Sequence, residues 1–184
     1  MPNIMIERTR WFSRQFAFDV EPRAFPNIVE RVRGTPARLE ERLRGLDPTT
    51  LTTRLEEKWS IQENAGHLLD LEALWAVRLD DFERGAERLQ AADLENRRTH
   101  EANHNASQIR DVLAAFRRER ETIITRLEGY DEAFVLRTAL HPRLAQPMRL
   151  IDLVLFVAEH DDHHLATITA LMAKLGPDPS PPLT

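Results

Sequence analysis

Residues 149–175 read RLIDLVLFVAEHDDHHLATITALMAKL and are followed directly by Gly176 and Pro177. Apolar residues recur through this stretch at helical spacing, and a glycine and a proline behind it are typical of a helix end. His160 and His164 lie four residues apart within the apolar stripe, so their imidazoles project from one face about one turn apart. The stretch therefore predicts a long buried helix that carries two adjacent imidazoles on its core face.

Three further segments show the same periodicity. Gly34-Thr35-Pro36 interrupts the first of them, and because proline lacks an N–H donor we expect a kink or break there. Ser60 and Glu63 have the spacing of a capping box and predict the start of the second, while Gly129 ends the third. The predicted helices cover 25–43, 61–84, 106–128 and 149–175. With no convincing run of strands, they predict an all-α four-helix bundle with long connections of roughly 20 residues, which are more typical of crossovers or lids than of tight hairpins.

The residues before the first and after the last predicted helix form an arm and a tail. In the arm, Phe16, Phe18 and Val20 alternate, a pattern that predicts a short strand. These apolar residues have no obvious place in a four-helix core, and they therefore predict a contact between two copies of the chain, a homodimer. The predicted organisation is an N-terminal arm at 1–24, the bundle domain at 25–176 and a flexible tail at 177–184.

Composition excludes several classes of function. The 184 residues include 25 basic and 30 acidic side chains, a formal net charge of −5. They form no basic stripe that could neutralise a phosphate backbone, so we expect no nucleic-acid partner. No stretch approaches the roughly 18 apolar residues of a membrane span, and the N-terminus lacks the apolar core of a signal peptide, which predicts a cytoplasmic protein without a membrane partner. Cysteine is absent, so imidazole and carboxylate are the strong metal ligands that the chain offers.

A third imidazole on another helix could complete a metal site. His67 interrupts the apolar stripe of the second predicted helix, as His160 and His164 interrupt that of the fourth. Bundle cores build metal sites from side chains on facing helices, so these three residues predict a three-nitrogen site for one divalent ion. His163 projects about 60° to the other side of His160, at the edge of the stripe. Ordinary core or surface histidines, hydrogen-bonded to backbone or to neighbouring acids, are the alternative.

Charged residues near this predicted site are further candidates. Glu63 and Asp70 lie about one turn either side of His67 and could orient its imidazole. Arg78 lies about three turns further along the same face. There it could clamp a substrate anion, or it could extend to the end of the bundle, where its charge would meet water.

His100 and His104 form a second pair with the four-residue spacing. They lie in a polar stretch, beginning at Asn96, that has no apolar stripe on which an imidazole would be buried. Spacing alone does not make a metal site. We predict that both rings are on the surface of the protein.

Two short segments resemble the DinB-like superfamily of metal-binding four-helix bundle proteins. Residues 59–68 read WSIQENAGHL, which resembles the family's Trp-Ser…His-Leu segment, and residues 160–166 read HDDHHLA, which resembles its H-x-x-H-H pattern. His141-Pro142 and the apolar run that follows are similar to the approach seen in many members. The resemblance covers about 25–175, although Thr167 stands where many members carry glutamine.

The resemblance implies a function as well as a fold. It places the family's three metal-binding histidines at His67, His160 and His164, and it makes His163 a neighbour. Characterised relatives include thiol-dependent transferases and an isomerase. The resemblance therefore implies a metal-dependent transferase that activates a low-molecular-weight thiol for reaction with a small-molecule substrate. Zinc and nickel are the expected metals, since imidazole suits both.

Two alternatives remain open. A metal-dependent hydrolase would use hydroxide generated on the ion and a nearby carboxylate to handle the proton, and Asp70, Glu63 and Glu159 are the candidates for this carboxylate. A non-catalytic module would bind the metal or a small molecule without turnover. An open coordination position would favour catalysis, whereas a fourth protein ligand would favour a structural ion.

Overall fold

The computed structural model describes residues 8–176, and the predicted tail at 177–184 lies outside them. The helices are α1 (Phe25–Arg33), α2 (Thr35–Leu43), α3 (Pro48–Thr52), α4 (Ile61–Glu83), α5 (Arg97–Ala102), α6 (Ile109–Glu128), α7 (Glu132–Val135) and α8 (Leu150–Leu175). The strands are β1 (Thr138–His141) and β2 (Gln146–Arg149), and 3₁₀ turns cover Trp11–Ser13, Pro22–Ala24 and His104–Ala106.

The long helices pack as a four-helix bundle, which confirms the predicted fold class. α4 packs against both α6 and α8, and the α1–α2 unit closes the bundle by packing against the same two helices. The apolar faces of these helices form the core, which stabilises the bundle by removing apolar surface from water. Among the helices of residues 8–176, none has the length and apolarity needed to cross a membrane.

The predicted interruption of the first helix lies between α1 and α2. Gly34 keeps helical angles, with φ −73° and ψ −12°, so the chain is kinked there and does not turn away. Pro36 occupies the first turn of α2, where its missing N–H is not needed for an intrahelical bond. Both pieces of the helix can therefore pack against α6 and α8.

The predicted capping box starts α4. The Ser60 hydroxyl accepts from the Glu63 N–H at 3.1 Å, and a Glu63 carboxylate oxygen accepts from the Ser60 N–H at 2.9 Å. α4 begins at Ile61, as predicted. His67 lies about two turns after this start and is buried in the bundle.

α6 begins at Ile109 and not at residue 106, which corrects the predicted start. Asn103 adopts a left-handed conformation with φ 48°, which ends α5, and the chain then forms the 3₁₀ turn of His104–Ala106. The Gln62 side chain donates to the Ser107 carbonyl at 2.8 Å and ties this turn to α4. The residues before Ile109 therefore belong to the crossover between the two helices.

The connection between α6 and α8 contains an antiparallel hairpin, β1–β2, which no pattern in the sequence predicts. Thr138 pairs with Arg149, and His141 pairs with Gln146. Strands of four residues are too short to show a clear alternation of apolar and polar side chains. The ring of His141 lies 5.2 Å from that of Phe156, so the hairpin meets the bundle at the second turn of α8.

The described part of the arm, from residue 8 onwards, is not a strand, so that prediction is wrong. Trp11–Ser13 form one 3₁₀ turn, and the residues that follow are extended without a strand partner. Phe16 and Val20 pack on the core of their own chain, and Arg149 Nη2 donates to the Val20 carbonyl at 3.1 Å. The arm thus covers the bundle of its own chain and gives no support for a contact between two copies. The homodimer stays a prediction.

Candidate metal centre

Three imidazoles from two facing helices meet inside the bundle. His67 projects from α4, and His160 and His164 project from α8. The centroids of their rings are 5.4 Å (67 to 160), 4.8 Å (67 to 164) and 4.6 Å (160 to 164) apart. All three side chains are buried, and one nitrogen of each ring lies within 4.8 Å of the others. The structure therefore brings together the three residues that the sequence predicts as ligands.

Asn64 holds the ring of His164 in one tautomer. Asn64 Nδ2 donates to the Ser60 carbonyl at 2.8 Å, so the amide oxygen is the atom that accepts from His164 Nδ1, at 2.9 Å. The proton of the neutral ring is then on Nδ1, and Nε2 keeps the lone pair that a metal ion needs. Asn64 was not predicted from the sequence, although it lies one helical turn before His67 and within the segment that resembles the family.

His67 has a different partner at the same ring position. The buried hydroxyl of Thr99, on α5, lies 3.0 Å from His67 Nδ1. A hydrogen bond at this nitrogen fixes the orientation of the ring and leaves Nε2 to face an ion. No signal in the sequence identifies Thr99, because only the folding of the crossover against α4 brings it to His67.

Burial keeps these rings neutral. It lowers the pKa of His67 to about 4, and together with the neighbouring imidazoles it lowers the pKa of His160 and of His164 well below the ordinary value. Neutral imidazole is the form that binds metal. His160 Nδ1 is also buried and has no hydrogen-bond partner in the described part of the chain. A divalent cation fits this set of donors, since it would compensate rings that burial leaves unsatisfied.

Glu63 and Asp70 do not orient His67, so that prediction is wrong. Glu63 forms an ion pair with Arg54 at the capped start of α4. Asp70 accepts a hydrogen bond from His104 Nε2 at 2.8 Å. Each carboxylate is therefore held by a partner other than the His67 ring.

His100 and His104 differ in their exposure to solvent. His100 is exposed, as predicted, whereas His104 is only 6% exposed, which corrects the prediction. The His104 ring lies against α4 at Gly66, where a Cβ atom would come within 2.2 Å of it. This close approach depends on a glycine in a distant segment, so the polar sequence around His104 does not indicate it.

A cavity of about 190 Å³ opens beside the three histidines. Concave sites with largely apolar walls are typical of small-molecule binding. His163, at the predicted edge of the stripe, is half-buried and lines it. Large apolar side chains form much of the wall, including Trp11, Phe12, Trp59, Leu71, Trp75 and Phe156. The cavity leaves room for a ligand on one side of any ion that the imidazoles hold.

Arg78 lines the same cavity. It is only 2% exposed, so the alternative in which it extends to the end of the bundle is wrong. Its Nε donates to the Gln90 carbonyl at 3.0 Å, and its Nη1 lies 3.3 Å from His141 Nε2. Arg143, in the turn of the hairpin, lines the cavity as well. Neither His141 nor Arg143 was predicted as a site residue, because the hairpin that carries them was not predicted.

Comparison with known proteins identifies the family. A family model described as the DinB superfamily matches residues 31–168. YfiT from Bacillus subtilis, described as a probable metal-dependent hydrolase with an unusual four-helix bundle topology, superposes with a TM-score of 0.78 and 16% identity, over 89% of this chain and 94% of that chain. A mycothiol-dependent maleylpyruvate isomerase superposes with a TM-score of 0.63 and 10% identity, over 88% of this chain and 70% of that chain. A sequence search of curated proteins found no significant match. Because the family model spans most of the sequence and both structures share the fold, this chain belongs to the DinB superfamily.

Proposed function

We propose that this protein is a metal-dependent enzyme that acts on small molecules, with one divalent ion held by His67, His160 and His164. The observation that supports it most is the convergence of three neutral, buried imidazoles beside an open cavity. A divalent ion held by neutral nitrogens keeps its full charge and supplies Lewis acidity, which lowers the pKa of a water or thiol that it binds. Zinc and nickel both suit such a set of ligands.

Within this class we favour a transferase that uses a low-molecular-weight thiol. A thiol bound to a cationic centre would release its proton to solvent and would need no protein carboxylate as a base, and the carboxylates near the histidines are engaged. The three candidate bases are paired as follows: Glu63 with Arg54, Asp70 with His104, and Glu159 with Arg14 and Arg31. The shared fold with the mycothiol-dependent isomerase also supports a thiol co-substrate.

Hydrolysis is the second candidate. His163 lines the cavity, and burial lowers its pKa, so its neutral ring is able to accept a proton from water. The shared fold with YfiT, described as a probable metal-dependent hydrolase, favours the same reaction. A non-catalytic binding module is the third candidate, and the open cavity argues against it because structural ions are usually enclosed by four protein ligands.

Metal analysis tests the site itself. Protein purified without an immobilised-metal column is expected to hold about one zinc or nickel ion per chain, and His160→Ala to hold a small fraction of that. His100→Ala is the matched control, since His100 is exposed and outside the cluster, and it should retain the wild-type content. Equally low metal content in wild type and His160→Ala would overturn the proposal.

A panel of thiols distinguishes the transferase reaction from hydrolysis. The metal-loaded protein is incubated with the electrophile chlorodinitrobenzene, alone and with cysteine, glutathione or mycothiol. Conjugation that requires both a thiol and His160 supports the transferase. Hydrolysis of nitrophenyl acetate without thiol that is lost in His160→Ala and reduced in His163→Gln supports the hydrolase. A metal-loaded protein that catalyses neither reaction would favour the binding module.

A further inference from the structure

Two arginines face the cavity of the candidate metal centre without a carboxylate partner among the described residues. The first, Arg78, is 2% exposed, and its side chain contacts the Gln90 carbonyl and His141. Asp81, one turn along the same helix, forms an ion pair with Arg84 and accepts from the Gln90 N–H at 2.6 Å. The positive charge of Arg78 is therefore buried without an ion pair in the described part of the chain.

The second arginine, Arg143, lies in the hairpin turn. Its Nη2 atom is buried and has no hydrogen-bond partner between residues 8 and 176. The guanidinium lies 5.3 Å from the ring centroid of Phe12 and 5.7 Å from that of Phe156, so its neighbours are aromatic faces. Burial outweighs the charge of Asp81 and, with the charge of Arg143, lowers the pKa of Arg78 to about 10. Neither guanidinium is ion-paired in the described part of the chain, since Asp93, which also lines the cavity, is paired with Arg97.

His141 adds a third donor to this part of the cavity. Its Nδ1 accepts from the Leu144 N–H at 3.2 Å, so the proton of the neutral ring is on Nε2. Burial, with the charges of Arg78 and Arg143, lowers the pKa of His141 to about 4 and keeps the ring neutral. The Nε2–H lies 3.3 Å from Arg78 Nη1, and both groups are donors. An anion at this point would supply the acceptor that both donors lack.

We infer that Arg78, Arg143 and His141 form a subsite for an oxyanion of the substrate, a carboxylate or a phosphate ester. Guanidinium groups bind both through paired N–H donors, and these bonds are strong where water is excluded. The inference rests on the proposed function and names its substrate class, a small organic anion with an apolar body. The apolar body follows from the aromatic wall of the cavity.

The position of Trp75 indicates how such a molecule lies. The Arg78 guanidinium is 5.4 Å from the Trp75 ring centroid, and the His160 ring centroid is 6.1 Å from the same point. All three residues line the cavity. A molecule that packs against Trp75 would have its anionic end at Arg78 and its other end at His160, so the subsite would both select the substrate and orient it toward the metal ligands.

Binding measurements test the subsite without an activity assay. Benzoate, phenyl phosphate and neutral benzyl alcohol are titrated by calorimetry into the zinc-loaded and the metal-free protein. Wild type is expected to bind at least one of the two anions about tenfold more tightly than benzyl alcohol in both states, and Arg143→Gln and Arg78→Gln to lose about tenfold of that affinity. The two anions distinguish a carboxylate subsite from a phosphate subsite. Arg118→Gln, on the exposed face of α6, is the matched control and should bind like wild type.

Circular dichroism and zinc content are measured for every variant. Arg143→Gln, in the hairpin turn, tests the subsite even if Arg78→Gln does not fold. Equal affinity for benzyl alcohol and for both anions, or an anion affinity that Arg143→Gln leaves unchanged, overturns the subsite and leaves the proposed function standing where wild type holds zinc or nickel. Arginine-dependent anion binding by a protein that holds neither metal supports the subsite and overturns the proposed function.

Discussion

Two buried arginines on neighbouring helices differ in what surrounds them. Arg120, on α6, is 1% exposed and bonds to Glu72 at 2.7 Å, to Asp161 at 2.6 Å and to the Val32 carbonyl at 3.0 Å. Arg78, on α4, is 2% exposed and has no carboxylate partner in the described structure. Burial lowers the pKa of both guanidinium groups. At Arg120 the charges of Asp161 and Glu72 outweigh burial and raise the pKa, whereas the pKa of Arg78 stays lowered, at about 10.

This difference distinguishes two regions. The Arg120 network consists of Arg120, Glu72 and Asp161, whose charges are paired within the chain. The open region is the part of the cavity lined by Arg78 and the three histidines. Asp161 follows His160 directly on α8, and the turn of about 100° between them sends one side chain to the Arg120 network and the other to the cavity. In the network every charge has a partner, and Thr35 Oγ1 also donates to Asp161 at 2.7 Å. Among the residues that line the cavity, His160 Nδ1 and Arg143 Nη2 are buried and have no hydrogen-bond partner in the described part of the chain. Such groups are rare in protein interiors, and they mark the region that binds a ligand.

Removing each arginine should show the largest contrast between the two regions. Arg120→Met leaves Glu72 and Asp161 buried without their cation, and we expect it to lower the free energy of unfolding by about 3–5 kcal/mol. Arg78→Met removes a charge that has no partner, and it should lower this free energy by less than about 1 kcal/mol, or raise it, in ligand-free protein. Urea denaturation followed by circular dichroism measures both variants. Equal losses would mean that Arg78 is as much a structural group as Arg120.

Acid should charge the open region and destabilise the metal-free protein. The pKa of His67 is about 4 in the folded chain, and the pKa values of His160 and His164 are well below 6.5. The unfolded chain, with ordinary values near 6.5, therefore binds more protons than the folded chain once the pH falls below about 6.5. These rings leave the free energy of unfolding unchanged above that pH and lower it as the pH falls toward 4, by up to about 1.4 kcal/mol per pH unit for each ring.

Urea denaturation at a series of pH values from about 7 to about 5 measures this slope. His160→Ala should flatten it, because one proton fewer is taken up on unfolding. His100→Ala, which changes an exposed ring, is the control and should keep the wild-type slope. Identical slopes in wild type and His160→Ala would contradict the prediction that this ring is held neutral by burial.

The helices and the three imidazoles could be predicted because local signals determine them. Periodicity and the capping box identify α4 and α8, and the interruption of two apolar stripes identifies His67, His160 and His164. Once two such helices pack face to face, helical geometry brings the rings together. No knowledge of the crossovers is needed for that step.

The residues that surround the imidazoles could not be predicted in this way. Thr99 lies on the crossover after α4, and Arg143 lies on a hairpin whose strands are too short to show alternation. Arg120 stands in the charged run 117–121, which is typical of a solvated helix face, yet it is fully buried. Each of these side chains is placed by partners from a distant segment, and the periodicity of a single sequence does not contain that information.

Thr99→Val should show how far zinc affinity depends on the orientation of the His67 ring. Valine keeps the shape of threonine but removes the hydroxyl that bonds to His67 Nδ1, so the ring loses its fixed orientation and zinc affinity is expected to fall about tenfold. Competition with a chromogenic chelator measures the Kd for zinc. Thr122→Val, at an exposed position of α6, is the control. A Kd equal to that of wild type would mean that burial alone orients His67.

The smallest effect is expected at the start of α4, where the cap lies next to the open region. Ser60→Ala removes the hydroxyl that accepts from the first turn and should lower the free energy of unfolding by about 1 kcal/mol, measured by urea denaturation against the exposed control Ser13→Ala. The Ser60 carbonyl belongs to the backbone and still accepts from Asn64 Nδ2, so the amide oxygen still faces His164 and the Kd for zinc should stay at the wild-type value. A loss of zinc affinity as large as that expected for Thr99→Val would mean that the cap, and not the carbonyl, holds Asn64. The stability of α4 and the zinc affinity of the open region would then be coupled, and they could not be treated as separate properties of the chain.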